Sequence, residues 1–176
     1  MHPTLFRTIQ VDRLSIFYRE VGPREAPTIL LLHGLPSSSR MFQPLLTRLA
    51  NNYHLVAPDY PGFGHSDWPD PKQFDYTFDH IAQVMDDVTQ AMGFSHYTLY
   101  MQDYGGPVGS RMALAHPERV QALIAQDAVA HNEGLGANWG PGGRFGKTGQ
   151  RMRKRCARNC FRLRPPRRAI LETIRI

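Results

Sequence analysis

Asp103 stands in the run Met101-Gln102-Asp103-Tyr104-Gly105-Gly106, after an apolar stretch and before a helix-like one. That layout lifts one carboxylate onto a sharp strand-to-helix turn, and Gly105 and Gly106 supply the small residues such a turn needs. A carboxylate presented in this way can attack a carbon centre and form a covalent ester, which water must then hydrolyse. The Tyr104 N–H would lie at a helix N-terminus, where partial positive charge helps to hold an oxyanion. The same place also suits an Asp that merely caps the following helix, and the turn alone leaves both roles open.

A second constellation is Leu32-His33-Gly34-Leu35-Pro36, at the end of an apolar run. Gly34 permits a tight turn there, so the Leu35 N–H can point into the space above a sheet. A third is the loop Ala57-Pro58-Asp59-Tyr60-Pro61-Gly62-Phe63-Gly64-His65-Ser66-Asp67. Short polar side chains commonly bond turn backbone, so Asp59 and Ser66 are expected to pin this loop, and no chemistry is assigned to it. Asp127 ends a further apolar run and could orient the imidazole of a catalytic base, or serve simply as a loop residue. No metal or cofactor is expected. Cys156-x-x-x-Cys160 is a weak metal signal by itself, and both cysteines fall outside the segments that carry the other motifs.

The elements that must position these groups follow from the hydrophobic pattern. Ile9-Gln10-Val11 and Leu14 to Glu20 flank a short turn at Asp12-Arg13 and read as an antiparallel pair. Thr28–Leu32, His54–Ala57, Tyr97–Met101 and Val120–Ala125 are short and mostly apolar, as strands buried on both faces of a parallel sheet should be. Phe78 to Met92 places Ile81, Val84, Met85, Val88 and Met92 at helical spacing and stops at Gly93. Pro107 to His116 reads as the helix after Asp103. Alternating strands and helices imply a parallel sheet with crossover connections, an α/β fold.

The pattern breaks near Trp139. Residues 1–139 hold 9 Lys/Arg against 14 Asp/Glu, whereas residues 140–176 hold 12 against 1. The expected organisation is a partial α/β domain over 1–139 and a basic, disordered tail over 140–176. A basic tail can bind nucleic acid phosphates or an anionic surface, but this one lacks interleaved aromatics and a helical stripe, so nucleic acid is not the expected partner. No apolar run reaches the length needed to span a bilayer, and the first residues lack the pattern of a signal peptide, so a cytoplasmic protein with no membrane partner is expected.

His33-Gly34-Leu35-Pro36, the Pro58 to Ser66 loop and the Gln102-Asp103-Tyr104-Gly105-Gly106 turn occur in order with matching spacing, and together they resemble the α/β-hydrolase superfamily. The likeness covers roughly residues 5 to 139 and lies near the haloalkane dehalogenases and epoxide hydrolases, the branch with an aspartate nucleophile. It implies Asp103 as nucleophile, the Leu35 and Tyr104 backbone N–H groups as oxyanion hole on a turn that includes His33 and Gly34, and Asp127 as a candidate triad acid. It also implies a small, apolar substrate. Two positions depart from the dehalogenase pattern, since Tyr104 and Leu35 stand where those enzymes usually carry Trp and often carry Asn or Trp. Met101 also replaces a glycine common in hydrolase elbows.

In that superfamily the catalytic histidine follows the nucleophile and the acid, after a lid and the last strands. The expected fold is therefore the N-terminal part of such a sheet, about six strands with flanking helices, with lid and C-terminal strands missing. The histidines of this chain are His2, His33, His54, His65, His80, His96, His116 and His131. His33 belongs to the oxyanion turn, and even His116 and His131 precede the place where the base should occur, so none is assigned that role. A frame change near Trp139 accounts for the break. Joining each third base of residues 140–176 to the next two gives Trp or Arg at Phe145-Gly146 and Asn or Asp at Lys147-Thr148 whatever the codons, and permits a lid-like amphipathic helix elsewhere. Hydrolysis impaired by loss of the catalytic histidine is the expected function, an inactive truncated remnant is the alternative, and a complementing chain that supplies the missing half stays open.

Overall fold

The computed structural model describes residues 2–130. Strands β1 (Leu5–Val11) and β2 (Leu14–Val21) form a hairpin in the register Leu5↔Glu20 to Val11↔Leu14. Its two-residue turn puts both Asp12 and Arg13 at positive φ, 50° and 70°, the geometry that matches the twist of paired strands. β1 begins four residues before the sequence pattern places it, because Phe6 stacks on Phe17 and lies under the Arg19 guanidinium at 4.8 Å. Cross-strand packing, rather than alternation, extends the strand.

The four apolar runs become β3 (Thr28–Leu32), β4 (His54–Pro58), β5 (Tyr97–Gln102) and β6 (Val120–Gln126). The sheet order is β1-β2-β4-β3-β5-β6, with β2 antiparallel to β4 and parallel pairing from β4 through β6. Successive residues of β3 serve opposite faces, as a strand buried on both sides requires. Leu30 and Leu32 join Val56, Leu99 and Met101 under α2 (Phe78–Ala91) and α3 (Gly105–Ala115). Ile29 and Leu31 join Leu55, Phe42 and Leu46 on the other face.

Residues Ile81, Val84, Met85 and Val88 of α2 are buried as their spacing predicts, Thr77 caps its start by accepting the His80 N–H, and Gly93 follows its end at φ 74°. A helix α1 (Gln43–Leu49) covers the second face, where the hydrophobic pattern predicts no helix. It is only seven residues long with Pro44 in its first turn, although Leu45, Leu46 and Leu49 carry a short helical signal. α3 starts two residues before Pro107, since Tyr104 already has helical angles and the proline lies in the first turn, where no intrahelical donor is needed.

Two polar clusters tie the elements together. Buried Glu20 binds Arg7, Arg24 and His54, with His54 Nε2 3.0 Å from Glu20 Oε1, beside a cavity of about 450 Å³ at the end of the sheet away from Asp103. Arg119, in the single turn before β6, reaches Asp86 Oδ1 at 2.8 Å, Thr89 Oγ1 at 2.9 Å and the Phe94 carbonyl at 2.8 Å. β6 itself is bare. It pairs with β5 on one side, and all but its first residue are exposed. None of the described helices is long and apolar enough to cross a membrane. Residues 140–176, and the frame change expected near Trp139, lie outside the described residues.

Candidate active site

Asp103 follows the last residue of β5 and precedes α3 by one residue, at φ 47°. A non-glycine residue at positive φ carries strain that the surroundings must impose. They do so by leaving no room. A Cβ on Gly105 would lie 2.3 Å from the Leu32 carbonyl oxygen, and one on Gly106 2.7 Å from that of Val129. The α3 N-terminus can therefore press against the end of β3 at Gly105 and against the segment after β6 at Gly106 only because both positions lack a side chain. The Gly106 N–H bonds the Asp103 carbonyl at 2.9 Å and closes the turn.

Met101, the large residue where an elbow glycine is common, is accommodated from the helix. A Cβ on Gly109 would lie 2.6 Å from Met101 Sδ, so the space the thioether fills is space Gly109 leaves empty. Sequence reasoning misses this pairing, though Gly109 inside a helical segment is its available signal.

The end of β3 brings Leu35 to the carboxylate. Its N–H donates to Asp103 Oδ1 at 2.8 Å. Gly34 allows that approach, since its own Cβ would stand 2.4 Å from Asp103 Cβ. Tyr104 forms the N-cap of α3, half-buried, with its ring edge-on to Phe78 at 4.9 Å. Burial, and then the Asp103 charge, push the Tyr104 phenol upward, so it keeps its proton at neutral pH.

His33 is a fastener within this turn. It is fully buried, stacked on Tyr60 at 4.2 Å, with Nδ1 3.0 Å from the Gly34 carbonyl and Nε2 3.3 Å from the Tyr60 N–H. An amide N–H needs an acceptor, so Nε2 is unprotonated and Nδ1 donates to Gly34. Burial pushes the His33 pKa down, against the Gly34 bond and the charges of Asp59 and Asp103, which raise it. Below it, the loop is pinned as its polar residues suggest. Buried Asp59 accepts the Ser39 N–H at 2.6 Å and the His65 N–H at 2.9 Å. The Ser66 hydroxyl donates to the Asp59 carbonyl and accepts from the Phe17 N–H. The Tyr60 hydroxyl is buried with no hydrogen-bond partner among the described residues.

Asp127 occupies the place in β6 that Asp103 occupies in β5. Gln102 and Gln126 are register partners, each Asp is the next residue, and their φ angles are 47° and 45°. The two carboxylates thus leave corresponding points of adjacent parallel strands. The structure brings Leu35 and Asp103 into contact; Asp127 is exposed at the sheet margin. Among the described residues, no histidine hydrogen-bonds either aspartate, and no group of three or more His, Cys, Asp or Glu side chains could hold a metal ion.

A strand-to-helix turn that carries an aspartate, a backbone donor on its carboxylate and a mixed sheet of this order have counterparts among known proteins. The sequence profile of the alpha/beta hydrolase fold matches residues 27–159. The chain is 41% identical over 138 residues to an uncharacterized hydrolase of Saccharomyces cerevisiae, covering 77% of this chain and 47% of that protein. It is 37% identical over 121 residues to a haloalkane dehalogenase of Psychrobacter cryohalolentis, covering 67% and 39% respectively. The crystal structure of a haloalkane dehalogenase from Bradyrhizobium elkani superposes with a TM-score of 0.68 at 29% identity, over 72% of this chain and 43% of that one. This chain spans less than half the length of the relatives it matches. By its motifs, its sheet and these matches, the chain belongs to the α/β-hydrolase fold family and has haloalkane dehalogenase-like relatives.

Proposed function

We propose that this chain carries the nucleophile half of a hydrolase that works through a covalent aspartyl ester on a small, apolar halide or epoxide. The supporting observation is the Leu35 N–H on Asp103 Oδ1, at a residue held at positive φ. Asp103 Oδ2 attacks a saturated carbon, a C–O bond forms, and halide departs or the epoxide C–O bond opens to an alkoxide that takes a proton from water. Oδ1 becomes the ester carbonyl and stays on the Leu35 donor. When water adds to Asp103 Cγ, the negative charge grows on that same oxygen, so the Leu35 amide already on it would favour the second step, with Tyr104 as the second donor of the scheme.

Asp127 is the acid in this scheme, and none of the eight histidines of this chain is assigned the role of the base that activates water. Loading of Asp103 does not need that base, whereas unloading does. The chain by itself is therefore expected to accumulate ester rather than turn over. Intact-mass spectrometry after incubation with a short 1-haloalkane and, separately, a small alkyl epoxide tests this. One adduct per chain is expected, mapped to Asp103 and absent in Asp103→Ala. No adduct from either reagent on folded protein would overturn the proposal.

A further inference from the structure

We infer that the groove between the β1–β2 hairpin and the start of α1 binds a small aromatic anion, with Arg19 holding its charge. This site is independent of the chemistry proposed for Asp103. Arg19 is 8% exposed, yet among the described residues no aspartate or glutamate forms an ion pair with it. Arginine is seldom buried to this degree without a partner of opposite charge, because taking an isolated ion out of water is costly. Arg119, also largely buried, follows that rule through Asp86 at 2.8 Å. Arg19 instead bonds neutral groups, Nε donating to Ser39 Oγ and Nη1 to Gln43 Oε1, both at 3.2 Å. Asp59 is linked to it through Ser39, whose N–H donates to Asp59 Oδ1. A guanidinium carries five N–H donors in a planar fork, so these two bonds leave donors for a ligand.

The surroundings of Arg19 say what that ligand should be. Arg19 lines an open groove of about 790 Å³ in which, among the described residues, no acidic side chain takes part. Phe6 stands opposite Arg19 in the hairpin register and Thr8 opposite Phe17, so these four side chains share one face of the ribbon. The two phenylalanine rings stack at 6.4 Å, and Phe6 remains 60% exposed beside the Arg19 cation. Arg40, from the turn before α1, adds a second positive charge, and the His65 ring tilts against Phe17 at 4.9 Å. An anionic head, a carboxylate above all, matches the arginine fork, and an aromatic body covers Phe6. The groove crosses β1 and β2, at the margin of the sheet opposite β6, after which the described residues end.

The test is a ligand-observed NMR titration of the full chain with benzoate, beside acetate, which lacks the ring, and benzyl alcohol, which lacks the charge. Benzoate is expected to bind at least about tenfold more tightly than either, and less tightly as salt is raised. Arg19→Gln should abolish binding. Because Arg19 also holds Ser39 and Gln43, two exposed positions give the decisive readings whether or not that variant folds. Phe6→Ala should weaken benzoate about tenfold and leave acetate unchanged. Arg40→Gln should weaken benzoate about fivefold. Absence of benzoate binding, as would follow if residues 131–176 lie over the groove, overturns the inference. So does binding that neither Phe6→Ala nor Arg40→Gln alters, because benzoate would then sit elsewhere, and so does acetate or benzyl alcohol binding as tightly as benzoate.

Discussion

Leu35 N–H meets Asp103 Oδ1 at 2.8 Å across 68 positions of sequence, and Gly34 is the residue that lets them meet. A methyl group on Gly34 would stand 2.4 Å from both Asp103 Cβ and Gln102 Oε1. Gly34→Ala is therefore expected to push the two strand ends apart, cost about 2 kcal/mol through overpacking, and slow ester formation at Asp103 by about 100-fold. Urea denaturation and the rate of adduct appearance check the two effects. Normal labelling in a destabilised protein would show that the Leu35 contact does not hold the nucleophile in place.

The buried His33 makes stability depend on pH with a defined sign. Burial, the largest influence, sets its folded pKa below the ordinary value of about 6.5. Between those values the unfolded chain binds a proton that the folded one refuses, so unfolding becomes easier as pH falls. The contribution is complete above about pH 6.5 and declines below it, by up to about 1.4 kcal/mol per pH unit for this one group. Urea midpoints at pH 7.5 and 5.5 should therefore differ more for the natural chain than for His33→Gln. Equal differences would mean that other groups carry the acid sensitivity.

Tyr60 presents the opposite case, a buried polar atom without a partner. Its hydroxyl is orphaned among the described residues, and burial, followed by the Asp103 charge, pushes its pKa well upward. Tyr60→Phe keeps the ring stack on His33 and removes the unsatisfied hydroxyl, so the variant should be as stable as the natural chain or more stable by about 1 kcal/mol. A lower midpoint in thermal unfolding would reveal a hidden bond to the hydroxyl.

Met101 and Gly109 should behave as one unit. Gly109→Ala alone drives a methyl into Met101 Sδ and should cost about 2 kcal/mol, while Met101→Ala alone empties the same space at about 3 kcal/mol. The double variant trades one volume for the other, so its loss should fall short of the sum by about 1 kcal/mol. Strict additivity in a double-mutant cycle would show that the two do not share the space.

Asp59 should be the most sensitive position of the loop. Its carboxylate is fully buried and accepts two backbone N–H groups, from Ser39 and His65. Asp59→Ala leaves both donors unpaired and should cost about 3 kcal/mol. A midpoint shift equivalent to less than half of that would mean that water replaces the carboxylate.

The parallel strands are legible in the sequence because strands buried on both faces must be apolar at nearly every position, and β3, β4 and β5 are. α2 is legible from spacing, cap and terminal glycine together. α1 is not, since seven residues give too few turns for periodicity to emerge. At the site, the elbow is readable from Gly105 and Gly106, and the Leu35 donor from Gly34. The fastening role of His33 is not readable, because it depends on a stack with Tyr60 from a different strand end. Nor is the Met101–Gly109 fit, which joins two residues whose sequence spacing bridges a strand and a helix. Residues that act alone on their own backbone announce themselves; those that act through a distant neighbour do not.

The hold of Arg119 on Asp86, Thr89 and the Phe94 carbonyl gives β6 a direction of fraying. The strand's start is clasped to α2 and to the loop before β5 by charged and polar bonds, while its far end has the Tyr100 hydroxyl on Gln126 at 2.6 Å and the packing of Ala128 and Val129 beside Gly106 just beyond. Within β6, amide protons should exchange faster at Gln126 than at Val120, like a zip held at its base. The end that loosens first is the one that carries Asp127, so the place of that carboxylate is set by the margin of the sheet rather than by its core.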